Sequence, residues 1–288
     1  MSVLPVVRLI GAPTDCHSSF LRGAASAPAT IRAALASDHG NATAQCGIEL
    51  GPDVCLDDAG DLPLADTLAA TASDDDLLFN AVAHAMSAGA MPLILGGDHA
   101  VSVPAVAAIA AACGPLNILH FDAHPDIYDD FASDPRSHAS PFARIMEAGH
   151  AKRLVQVGIR TMNRHCREQA ARFGVEVMEM RHFSVDAVPL LDGPLYISID
   201  MDGFDPSVAP GVAHLEPGGL TVREVLAVVA RQTAPLVGAD IVELCPLRDP
   251  TGVTAILAAK LVRELAALHV LNRTPCLSNP PSSPKRTP

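Results

Sequence analysis

Leu116-Asn117-Ile118-Leu119-His120-Phe121 runs directly into Asp122-Ala123-His124-Pro125-Asp126. The first six residues are mostly apolar, short and free of Gly and Pro, which reads as a buried strand. The next five carry an acid, an imidazole and an acid at every second position. Side chains at i, i+2 and i+4 of an extended segment point to one side, so Asp122, His124 and Asp126 can converge. A strand ending in such a cluster belongs in a parallel sheet, whose carboxyl edge is where loops leave a crevice for ligands.

Working outward, the same arrangement recurs three times. A β-branched or apolar run at 91–95 leads into Gly96-Gly97-Asp98-His99, one at 195–199 into Asp200-Met201-Asp202-Gly203-Phe204-Asp205-Pro206, and one at 237–242 into Glu243. Further strands are expected at 6–10 and 154–157. Ala- and Leu-rich stretches between the strands predict helices over 75–87, 104–113, 140–148, 164–173, 222–232 and 253–268. Thr221 with Glu224 forms a capping box before one of them. Alternation of this kind predicts an α/β fold with a mostly parallel sheet covered on both faces. One domain over 1–271 is expected, with 40–53 as a polar connection. The Pro- and Ser-rich segment 272–288 reads as a tail without fixed structure.

Bulk properties narrow the function. The chain has 288 residues, 49% hydrophobic but only 3% aromatic with no Trp, so small aliphatic side chains must fill the core. A net charge of −12 disfavours nucleic acid, whose binding depends on cationic side chains, and suits a cationic small molecule. Seven cysteines without a Cys-x-x-Cys pair indicate a reduced chain, and the apolar start lacks the basic residues of a signal peptide. No apolar run reaches the roughly 18 residues a membrane span needs. A soluble, cytoplasmic protein is expected, with no membrane partner.

Four carboxylates gathered at one sheet edge would repel one another and protonate unless cations neutralised them. The ligand inventory is His99, Asp122, His124, Asp126, Asp200 and Asp202, without a thiolate. Carboxylates with two imidazoles suit a hard-to-borderline ion in five- or six-fold coordination: Mn²⁺ fits best, with Ni²⁺ and Co²⁺ overlapping. Six ligands exceed what one catalytic ion can use while holding water. Two ions joined by shared carboxylates use them all. Of the remaining polar groups, Asp205-Pro206 reads as turn chemistry, His120 as a packed core histidine, and Asp98 as the group orienting His99 through its other ring nitrogen.

Gly96–His99, Asp122–Asp126, Ser198–Pro206 and the late Glu243 together resemble the motifs of the ureohydrolase family, the arginases, agmatinases and relatives. The resemblance runs from Gly11 to about Leu268. His17-Ser18-Ser19-Phe20-Leu21, Ser137-His138-Ala139-Ser140, the segment from Phe142 to Glu147 and that from Ala258 to Leu265 further resemble plant-type arginases. The resemblance implies a three-layer αβα sandwich and a homo-oligomer, trimer or hexamer. It implies one Mn²⁺ on His99, Asp122, Asp126 and Asp200, and a second on Asp122, His124, Asp200 and Asp202, with Asp122 and Asp200 bridging. It also implies catalytic roles for Asp126, His138 and Glu243: Asp126 takes the proton of the attacking water, His138 transfers a proton, and Glu243 grips the substrate guanidinium. A single-zinc deacetylase on a related fold would need fewer ligands than stand here.

The far end of the substrate is expected to meet the loop 127–137 and the residues after Arg160. That loop, with its Ile127-Tyr128 start, resembles plant-type arginases more than agmatinases. Thr161 and Asn163 stand where animal-type arginases carry acids that grip an α-amine. Glu243, His138, Tyr128 and Asn163 are the expected substrate contacts. Arginine is the expected substrate, and agmatine or a guanidino acid is the alternative. Arg136 reads first as a solvated surface side chain, with a contact to a substrate α-carboxylate as the alternative.

Overall fold

The computed structural model describes residues 4–273. Eight strands form one sheet, all neighbours parallel: β1 (Val6–Ala12), β2 (Cys55–Asp61), β3 (Met91–Gly96), β4 (Leu116–Phe121), β5 (Ala151–Ile159), β6 (Glu176–Glu179), β7 (Leu195–Asp200) and β8 (Leu236–Val242). Their order is β2-β1-β3-β8-β7-β4-β5-β6. Seven helices cover it: α1 (Ala27–Leu35), α2 (Thr71–Ser87), α3 (Ser102–Cys113), α4 (Pro141–Glu147), α5 (Arg164–Phe173), α6 (Val222–Arg231) and α7 (Val253–Leu271).

Strand alternation sorts the core into two layers. Leu93, Leu95, Leu119, Phe121, Ile197, Ile199 and Ile241 point to one face, where they pack with Ile31 of α1, Val225 of α6 and Leu261 of α7. Ile94, Ile118, Leu154, Tyr196 and Val242 point to the other and meet Val82 of α2, Val106 of α3, Phe142 of α4 and Cys166 of α5. The expected three-layer αβα sandwich is what forms. No helix among the described residues is long and apolar enough to cross a membrane.

All six expected strands are present; Leu116–Phe121 matches its expected bounds and the other five are longer by one to five residues. The capping box of Thr221 and Glu224 opens α6 as expected. Three elements escaped the sequence reading. Strands β2 and β6 are the two edges of the sheet. Cys-Leu-Asp-Asp-Ala-Gly-Asp in β2 carries three acids because one side of an edge strand faces water, so it lacks an apolar signature. The third, α1, starts at Ala27-Pro28 behind Ser26, whose side chain makes no capping bond. The expected tail at 272–288 falls, from Thr274 onward, outside the described residues. Before that, Asn272 ends α7 and donates from Nδ2 to Gln232 O (2.7 Å) and Ala234 O (3.1 Å).

The topology places the site. The four strands that end in polar clusters, β3, β8, β7 and β4, are consecutive in the sheet although they are scattered along the chain. The chain leaves β3 and resumes at β4 on the far side of a gap that β7 and β8 fill later. This reversal is the switch point at which parallel sheets open a crevice. Register completes the placement. Phe121 pairs with Ile199, so Asp122 and Asp200 follow level with one another. On the other flank Leu95 pairs with Ile241, and Glu243 N donates to Gly97 O at 2.9 Å.

Candidate metal centre

Ligand atoms in the crevice fall into three overlapping groups, one of which (His99, His120 and Asp122) includes the core histidine and two of which hold only residues named as ligands from the sequence. His99, Asp122, Asp126 and Asp200 form one of these two, and Asp122, His124 and Asp202 the other, with each group's atoms within 4.8 Å of one another. His99 Nδ1 lies 3.0 Å from Asp126 Oδ2, 3.3 Å from Asp200 Oδ2 and 3.4 Å from Asp122 Oδ2. His124 Nδ1 lies 3.1 Å from Asp202 Oδ2 and 3.4 Å from Asp122 Oδ1. All six residues named from the sequence therefore converge. Asp122 stands in both groups, while Asp200 falls in the first alone; its Oδ1 accepts from Asp202 N at 2.7 Å.

The electrostatics of this cluster call for a cation. Asp122, Asp200 and Asp202 are at most 4% exposed. Burial, reinforced by Asp202 and Asp122, holds the Asp200 carboxyl well above the usual range. Burial and Asp122 likewise push Asp202 up, to about 6, against the pull of His124. Burial opposes charge on His99, yet Asp122, Asp126 and Asp200 reverse it and raise its pKa well above the ordinary value. His99 Nδ1 is buried without a well-formed hydrogen bond although it faces three carboxylates. A ring nitrogen aimed at acid oxygens in this manner is placed for a shared cation. Four carboxylates and two imidazoles without sulfur fit divalent ions of intermediate hardness.

Local backbone explains why these loops hold. A Cβ at Gly97 would stand 1.6 Å from Thr14 O, so only glycine lets the β3 loop pass so close to the end of β1. Asp126 (φ 45°) and Glu243 (φ 63°) both adopt the left-handed backbone that side chains other than glycine rarely take. Such strain concentrates where function over-determines the conformation.

Glu243 and His138 form the second component. Glu243 Oε1 accepts from His138 Nδ1 at 2.8 Å and from His99 N at 2.9 Å. Burial disfavours charge on His138, but Glu243 outweighs it and raises the pKa to about 9. On its other side, His138 Nε2 lies 2.8 Å from Ser19 Oγ and 3.1 Å from Ser19 N. Tyr128 and Asn163, the other expected substrate contacts, meet each other: Asn163 Nδ2 donates to Tyr128 Oη. Asn163 also caps α5 by accepting from Cys166 N at 2.8 Å.

This constellation coincides with what comparison with known proteins finds. A family model described as Arginase family matches residues 6–267. The chain belongs to the arginase family. It is 48% identical over 274 residues to arginase 1, mitochondrial, of Arabidopsis thaliana, covering 90% of this chain and 80% of that one. The solved arginase of Medicago truncatula superposes with a TM-score of 0.88 at 44% identity, covering 93% of this chain and 89% of the other. The agmatinase of Bacillus anthracis is 33% identical, covering 90% of each chain. This arginase-family chain is thus a metal-dependent ureohydrolase by family, with a His/Asp cluster in place.

Several side chains depart from expectation. Asp98 does not orient His99. Its carboxylate accepts from Ala100 N (3.1 Å) and His17 N (2.9 Å), and the other nitrogen of His99 lies 2.8 Å from Ser198 Oγ. A capping acid is drawn to the free N–H groups of its own helix start before it can reach a neighbouring ring. His120 is packed in the core, but its Nε2 lies 2.8 Å from Asp122 Oδ2 and its Nδ1 3.2 Å from Gln156 Nε2, so it also fixes Asp122. Arg136 is not a solvated side chain. Its Nη2 donates to both oxygens of Asp75 at 2.7 Å. Asp205 does act as turn chemistry, accepting from Ser207, Gly218 and Gly219 N–H groups.

Two residues beside the ligands, His214 and Arg160, carry no role in the sequence reading. His214 stands between the components, its ring 5.7 Å from that of His124, 5.4 Å from His138 and 5.6 Å from Phe20. It sits in a loop with no motif to mark it. Arg160 reaches the carbonyls of Asp202 (2.7 Å), Gly203 (3.3 Å), Phe204 (3.3 Å) and Glu216 (2.6 Å), clamping the loop that carries Asp202. Five guanidinium donors can do this where a lysine could not.

Proposed function

We propose that this chain hydrolyses the guanidino group of L-arginine to L-ornithine and urea, using two Mn²⁺ ions on His99, Asp122, His124, Asp126, Asp200 and Asp202. The observation that carries this reading is the pair of ligand groups sharing Asp122, set beside the buried Glu243–His138 pair. The names of the plant relatives support arginine as the substrate, and the lower identity to an agmatinase makes agmatine the second choice.

When bound, the paired cations supply a water acidic enough to act as a nucleophile near neutral pH. The remaining work belongs to the protein. Glu243 binds the guanidinium by charge-assisted bonds and turns its central carbon toward the ligand cluster. Both bonds that Glu243 now accepts fall on Oε1, leaving Oε2 for a guanidinium N–H. Asp126 takes a proton from the attacking water. His138 delivers a proton to the departing amine, so one cation and one water become ornithine's ammonium and neutral urea. On the resemblance to plant-type arginases, Tyr128 and Asn163 would read the substrate's α-amino acid group. With Asn163 in place of an acid, that reading proceeds through neutral hydrogen bonds.

Urea release from arginine, agmatine and 4-guanidinobutyrate after Mn²⁺ reconstitution tests the assignment. The expected kcat/KM is highest for arginine, by a factor of ~10 or more, a gap of about 1.4 kcal/mol. Faster turnover of agmatine would overturn the substrate while leaving the reaction type. Repeating the assay with Ni²⁺ and Co²⁺ tests the metal.

A further inference from the structure

We propose that Asp240, acting through Ser198, is a positioning residue that fixes the proton of His99 on Nε2 and thereby keeps Nδ1 open as a metal ligand. The inference rests on the two-ion reading above. Asp240 is fully buried on β8, and its side-chain hydrogen bonds go to none of the six ligands. Three hydroxyls converge on its carboxylate: Ser102 Oγ and Tyr196 Oη on Oδ2, and Ser198 Oγ on Oδ1, each at 2.6 Å. Such a cluster, joining α3, β7 and β8, would be an expensive way to fill a core if packing were its only purpose, because each polar group must be desolvated first.

Proton accounting gives the group a task. A carboxylate has no hydrogen to offer, so two oxygens 2.6 Å apart require the Ser198 hydroxyl to donate to Asp240. A hydroxyl carries a single hydrogen. Toward His99 Nε2, 2.8 Å away, Ser198 can therefore only accept. His99 must carry a hydrogen on Nε2, and in the neutral ring that leaves the Nδ1 lone pair facing Asp122, Asp126 and Asp200. Only this tautomer can ligate an ion within that group. Without the relay, the three nearby carboxylates would draw the hydrogen to Nδ1 and block the position.

The test is Mn²⁺ binding, read by chelator competition and by stoichiometry, in the full-length wild type and four variants. Asp240→Asn places an amide donor against Ser198, whose hydroxyl can then turn to His99 Nε2. Ser198→Ala removes the relay and leaves Asp240 with its two other donors. Each should weaken one of the two ions by roughly 10–100-fold, the range for groups that orient metal ligands. Ser198→Thr keeps the hydroxyl and should bind both ions within a few-fold of wild type. Tyr196→Phe removes a donor outside the relay and should do the same. If Asp240→Asn and Ser198→Ala hold both ions as tightly as wild type, the relay is overturned. If Asp240→Asn does not fold, Ser198→Ala alone decides. A wild type that binds fewer than two ions would instead sink the two-ion reading.

Discussion

His138 and Glu243 show how much a single contact sets at the residue scale. Their 2.8 Å ion pair is buried, with Glu243 lowered by His138 against the effect of burial, and His138 raised to about 9. A histidine whose pKa in the folded chain exceeds its unfolded value of 6.5 binds its proton more tightly when folded. Its stabilisation is complete below that value and is lost as pH rises through about 9. The melting temperature of the metal-free wild type should therefore exceed that of His138→Asn at pH 6, by on the order of 5 °C. The gap should close by pH 9.5. A gap that holds constant across this range would show that His138 is not the titrating partner of Glu243. At this scale the ligands were legible because Asp122, His124, Asp126, Asp200 and Asp202 sit at alternating positions after apolar runs. Ser198, Asp240 and His214 were not. Their roles come from partners 42 to 99 positions away in sequence or from ring contacts across loops, and no local pattern encodes such a contact.

The elements that carry the site are set by what their ends must avoid. The β3 loop turns at Gly97 against Thr14 O, with no room for a methyl group. Gly97→Ala must move β1 or the loop bearing His99. It is expected to cost about 3 kcal/mol or more and to lower Mn²⁺ binding together with melting temperature. A stable, fully metallated Gly97→Ala variant would mean that the loop is more pliable than its packing implies. Central strands were legible at this scale because two-sided burial makes them continuously apolar, as in Leu93-Ile94-Leu95. Edge strands β2 and β6 were not, since one side of each is paired to nothing in the sheet and its residues need satisfy only the other. The short α1 was missed because its nine residues, four of them Ala, carry too few large apolar side chains to mark a helical face.

Across the whole molecule, a sheet that reverses its winding between β3 and β4 gathers four strand ends whose residues lie more than 140 positions apart, from His99 to Glu243. The parallel sheet covered on both faces and the carboxyl edge that carries the site were readable from strand–helix alternation. The order β3-β8-β7-β4 was not, because which strands become neighbours depends on crossover packing rather than on any one segment. That order makes six ligands a single centre. The account predicts that crystals grown with Mn²⁺ and measured at the manganese edge will show two anomalous peaks at the ends of β3, β7 and β4, roughly 3.5–4 Å apart. One should lie among His99, Asp122, Asp126 and Asp200, and the other among Asp122, His124 and Asp202. A single peak, or two peaks that do not share Asp122, would contradict it.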